Sequence, residues 1–95
     1  MAFSYSDENF TVIGNLCFVH IVVSDKNAQY EIPPAIADRM LFKNFACLYY
    51  SHAESVESGS FGLVFISNAK ISFKTAYDDF NRGYANFFFP IDSNK

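Results

Sequence analysis

Apolar side chains in this chain fall into short runs, many alternating with polar ones, separated by clusters of Gly, Asn, Ser, Asp and Pro. A period of two puts alternate side chains on opposite faces of a strand, and no segment sustains the longer period of a helix. Phe10 to Ile13 and Leu16 to Val23 flank Gly14-Asn15, a tight turn with glycine first, which predicts a β-hairpin. In its second strand both Leu16/Phe18/His20/Val22 and Cys17/Val19/Ile21/Val23 are largely apolar. That strand is expected to lie centrally, covered on both faces. Gln29 to Ile32 predicts a short strand stopped by Pro33-Pro34, and residues 33–39 predict a single helical or 3₁₀ turn.

Met40 to Tyr50 alternates imperfectly, with Phe42, Ala46 and Tyr50 on one face and Leu41, Phe45 and Tyr49 on the other, and β-propensity predicts a strand. Phe61 to Ile66 and Lys70 to Lys74 predict two more strands around the turn Ser67-Asn68-Ala69. In the second, Ile71 and Phe73 oppose Lys70, Ser72 and Lys74, so one face is wet. Near the end, Phe87-Phe88-Phe89 must place rings on both faces of a strand. Ala85, Phe87, Phe89 and Ile91 are expected to face the core, and Tyr84, Asn86 and Phe88 the other side. Pro90 lacks the N–H of a central ladder, so pairing there is expected to end or to continue on one side only. About six to eight short antiparallel strands predict an all-β sandwich or barrel. It forms one domain over residues 1–95, with residues 1–9 a mobile arm or a short lead-in strand. Ser51 to Ser60 and Thr75 to Gly83 are expected surface loops, where recognition residues collect.

Composition excludes a disordered chain: 51% of the 95 residues are hydrophobic, with 12 Phe and 6 Tyr but no Trp. The net charge is −3, and the 7 basic residues are scattered along the chain. Nucleic acid is therefore a disfavoured partner, because it needs a concentrated basic face. The opening Met-Ala-Phe-Ser-Tyr-Ser-Asp-Glu has neither the charged nor the apolar region of a signal peptide. The longest apolar run, Leu16 to Val23, is too short to span a bilayer. Synthesis and folding in a reducing cytoplasm are expected, with no membrane partner.

Candidate chemistry is thin. Cys17-x-x-His20 and Cys47-x₄-His52 offer four zinc ligands, but residues three or five apart on a strand point to opposite faces, so neither pair chelates. A Cys17–Cys47 disulfide is conceivable only in a particle that leaves the cell. His20 reads as a hydrogen-bonded core or interface residue. Asp79-x-Asn81-x-Gly83 departs from a calcium loop through its early glycine and through Arg82. Asp78, Asp79, Glu54 and Glu57 supply carboxylates with nothing to fix a glycosidase separation. Asn9-Phe10-Thr11 fits a glycosylation pattern but lacks a secretory context. No phosphate loop, nucleophile elbow or metalloprotease helix occurs. The expectation is a protein that is not an enzyme and needs no cofactor or metal.

A binding surface remains. Tyr49, Tyr50, Tyr77 and Tyr84 combine a flat apolar ring with a hydroxyl, and His52, Asp78, Asp79, Arg82 and Asn86 can hydrogen-bond polyols or anionic phosphates. The saccharide candidates are Tyr50, His52, Tyr77, Asp78, Asp79 and Arg82. The oligomer-interface candidates are Tyr84, Asn86 and Phe88.

Gly14-Asn15-Leu16-Cys17-Phe18, the passage Tyr30-Glu31-Ile32-Pro33-Pro34 followed by Arg39, the strand-turn-strand from Phe61 to Phe73 and the closing Phe89-Pro90-Ile91-Asp92 come in a suggestive order. Over about residues 10–92 that order resembles the head domain of tailed-phage receptor-binding proteins, especially lower baseplate proteins of lactococcal siphophages. The resemblance implies a jelly-roll-like β-barrel, a homotrimer, host cell-wall saccharide bound at or near protomer contacts, and a place at the virion tail tip or baseplate beside other tail proteins. Two features of these 95 residues depart from that family's pattern: they include no trimeric shoulder or stalk, as expected of a stand-alone or accessory tip subunit or of an excised head, and no Trp for sugar stacking. The alternative is a structural decoration or assembly subunit of the virion that makes protein–protein contacts.

Overall fold

The structure, a computed structural model, describes residues 3–23, 27–52, 60–74 and 82–95, with backbone alone at 48–52, 60–62 and 82–83. Strands β1 (Tyr5–Ser6), β2 (Phe10–Ile13) and β3 (Leu16–Val23) form an antiparallel meander. At the predicted Gly14-Asn15 turn only Gly14 has positive φ, +62°. That is the pattern of a II′ turn, whose twist suits two flanking strands. The turn is fastened to the far end of the chain: Ile91 N–H donates to Asn15 O at 2.9 Å, and the buried Ser93 hydroxyl donates to Asn15 Oδ1 at 2.7 Å.

The chain continues through β4 (Tyr30–Glu31), the one-turn helix α1 (Pro34–Ala37), β5 (Phe45–His52), β6 (Ser60–Ser67), β7 (Lys70–Lys74) and β8 (Arg82–Pro90). Proline at the start of α1 forgoes an N–H that a first turn leaves without a helical partner. Ile36 is the residue α1 buries. Among the described residues the strands pair in the order β1-β2-β3-β8-β5-β6-β7-β4, every pairing antiparallel. The meander β5-β6-β7 with β4 beside β7 is a Greek key.

β8 pairs with β3 from Gly83 to Pro90 but with β5 only from Arg82 to Tyr84. The hydrogen-bonded sheet therefore folds over at this seam into two layers of four strands, the predicted antiparallel sandwich of short strands. The second Greek key that a jelly roll adds is not among the described pairings. Val19, Ile21, Ala85 and Phe89 of one layer share a core with Val64, Ile66, Ile71 and Phe73 of the other, closed by Ile36, Met40 and Ile91.

Two expectations are corrected. β3 is central but covered on one face: Cys17, Val19, Ile21 and Val23 are buried, whereas Phe18, His20 and Val22 are exposed. No described part of the chain lies over that outer face, so its apolar character reflects something other than core packing. The strand expected from Met40 begins only at Phe45, with Met40 making an isolated bridge to Ile91. Phe45 is opposite Ile66, and β6 ends one residue later at Ser67, so β6 has no residues left to pair with 41–43; Leu41 N–H instead donates to Pro90 O at 3.3 Å.

Candidate functional site

The exposed face of β3 and β8 carries the most developed site among the described residues. Antiparallel register sets Phe18 opposite Phe88 and His20 opposite Asn86. The two phenylalanine rings lie 5.5 Å apart at 39°, a tilted pair with open faces, and Phe88 is 60% exposed. One step along, His20 Nδ1 and Asn86 Oδ1 are 2.5 Å apart. With the amide oxygen toward the ring, Nδ1–H is the donor, which leaves Nε2 outside this contact.

A turn of the preceding chain makes the side wall. Asp7 Oδ1 accepts the N–H groups of Asn9 at 2.8 Å and Phe10 at 2.7 Å, an Asx-type turn that starts β2. Asn9 is then locked to His20 twice: His20 N–H donates to Asn9 O, and Asn9 Nδ2 donates to His20 O, both at 2.9 Å. Because β2 begins only at Phe10 while β3 runs on past it to Val23, Glu8 and Asn9 stand beside the His20–Asn86 pair. The result is an open groove of about 310 Å³ with Phe18, Phe88, His20 and Asn86 in it and Glu8 and Asn9 at its wall. The Asp7 carboxyl is held below its ordinary value chiefly by the Asn9 and Phe10 N–H groups, so it is a standing negative charge next to Glu8.

These groups are suited to recognition. Aromatic faces pack against the C–H faces of a ring, and the amides, the imidazole and the Glu8 carboxylate supply directional hydrogen bonds. Cys17 is fully buried on the opposite face of β3 from His20, so the two cannot share an ion. Cys17 and Cys47 are both free thiols.

The interface candidates Tyr84, Asn86 and Phe88 lie on the exposed face of β8, and two of them line this groove. Of the saccharide candidates, Tyr50 is in register with Tyr84, and His52 with Arg82, at the β5–β8 seam. Positions 82, 84, 86 and 88 thus run along β8 from that seam to the groove. Tyr77, Asp78 and Asp79 lie outside the described residues, as do Glu54, Glu57 and Asn81. Sequence reasoning missed Phe18, Glu8 and Asn9 as site residues. The one local signal was Asp7-Glu8-Asn9, a turn-forming triplet directly before a strand.

No family model, curated protein or solved structure matches the chain. The fold and the groove define it at the level of class: a small antiparallel β-sandwich with an open, aromatic and polar sheet face.

Proposed function

We propose that this protein is a non-enzymatic binding module, the head of a phage tail-tip adhesin, that takes a host cell-surface saccharide in the β3–β8 groove. The carrying observation is the exposed Phe18–Phe88 pair next to the His20–Asn86 pair in one open groove. Sugar recognition combines those elements: an apolar platform for one face of a pyranose and fixed hydrogen-bonding groups at its edge. The resemblance of residues 10–92 supports the tail-tip setting and a homotrimer. In this reading the groove replaces the loop residues as the principal site.

The test is a bacterial cell-wall glycan array probed with the wild-type protein and with Phe88→Ala, alongside light scattering. Saccharide binding lost in the variant, by a trimeric wild type, supports the proposal. Indifference to every glycan together with co-purification with a virion component overturns it in favour of a structural decoration or assembly subunit.

A further inference from the structure

We infer that the saccharide taken by the β3–β8 groove carries a protonated amine, as in a glucosamine unit without its acetyl group. This rests on the saccharide reading of the same groove and adds the charge class of the ligand. Glu8 is the carboxylate at the groove wall, and among the described residues no Lys or Arg lines the groove. Asp7 stands beside Glu8 in sequence, its carboxylate fixed by the N–H groups of Asn9 and Phe10. The Glu8 carboxylate makes that wall negative, on a chain whose net charge is already −3.

The platform reinforces that sign. The ring faces of Phe18 and Phe88 carry the negative side of the aromatic quadrupole, which attracts an ammonium and repels an anion. Glu8 adds a charge-assisted acceptor, stronger than a neutral one, for N⁺–H. A phosphate or uronate would instead meet no Lys or Arg among the described lining residues and would lie beside the Glu8 carboxylate and two aromatic rings. The charge pattern thus favours an amino sugar first, a neutral or acetylated sugar second and an acidic sugar last.

The experiment is calorimetric titration near neutral pH with chitosan trimer, its fully N-acetylated counterpart and a sugar phosphate. The wild type is compared with Glu8→Gln and Phe88→Ala, all three verified as folded by circular dichroism. The amine-bearing trimer is expected to bind about tenfold more tightly than the acetylated one, as one charge-assisted hydrogen bond allows. In Glu8→Gln that preference should collapse to within about twofold, whereas Phe88→Ala should weaken both by a similar factor. Added salt should shrink the preference, because Glu8 is exposed. Equal or tighter binding of the acetylated trimer, preference for the phosphate, or a preference that survives in Glu8→Gln overturns the inference while leaving a saccharide site in place. Failure of all three sugars to bind overturns the inference, and the glycan array then decides the saccharide reading.

Discussion

Phe18 and Phe88 face each other across β3 and β8 with ring centroids 5.5 Å apart, and both rings are open to solvent. A tilted cross-strand aromatic pair contributes about 1 kcal/mol to stability. Burial of the kind a core phenylalanine enjoys would contribute more and would leave no face for a ligand.

Phe88→Ala is therefore expected to cost about 1 kcal/mol, a fall in melting temperature of roughly 4–8 °C for a domain of this size. It should reduce saccharide affinity at least about tenfold. Phe89→Ala, one residue on, removes a ring that is 2% exposed and packed 5.7 Å from Phe45. It should cost about 3–5 kcal/mol and with it most of the soluble folded protein. Thermal melts beside binding titrations separate the two; similar losses of stability in both variants would contradict the assignment of faces.

Adjacent phenylalanines can differ this much because strand periodicity is local, and that part was legible in the sequence. Ala85, Phe89 and Ile91 are buried while Tyr84, Asn86 and Phe88 are exposed, as the alternation predicts. β3 was not legible in the same way. Phe18, His20 and Val22 read as a second covered face because hydrophobicity does not distinguish a face packed within the chain from one held open for something else. The His20–Asn86 contact joins residues 66 positions apart and exists only once β8 has docked on β3. The strand start at Phe45 likewise depends on where β6 ends, information that lies elsewhere in the chain.

The β6–β7 turn offers a stability test. Asn68 and Ala69 adopt φ of 53° and 62°, the paired positive values of a I′ turn. Alanine pays about 1–2 kcal/mol for that region. Ala69 also packs against the core, so part of the gain from relieving it is offset. Ala69→Gly should raise stability by about 0.5–1 kcal/mol, read from the urea midpoint. The hydrogen bond from Ile32 N–H to Ala69 O should be kept, because it uses backbone alone.

Acid should loosen the groove wall. The folded pKa of Asp7 lies below the unfolded value of 3.8, first through the Asn9 and Phe10 N–H groups and, less, through the Tyr5 hydroxyl, with burial opposing. A depressed carboxyl contributes stability that is complete above the unfolded pKa and lost as pH falls through the folded one. Denaturant midpoints should drop below about pH 4, and Asp7→Asn should flatten that drop. An identical acid profile in the variant would contradict the capping role.

Thiol reactivity reports on the core. Burial, with a smaller contribution from the Asp7 charge, pushes the Cys17 thiol up to about 12, and burial also raises that of Cys47. At about pH 8 both are protonated and poor nucleophiles. Ellman's reagent should react slowly with the native protein and fully after urea unfolding. Rapid labelling of both thiols in the native state would contradict the packing of Cys17.

The central claim is that the outer face of β3 and β8 binds saccharide. Its most direct test is a two-dimensional amide NMR titration of the labelled protein with chitosan trimer and, in parallel, with the glycans that an array picks out. Saturable shifts centred on Glu8, Asn9, Phe18, His20, Asn86 and Phe88 are the predicted result. An unchanged spectrum, or shifts confined to the outer face of β6 around Leu63 and Phe65, would contradict it.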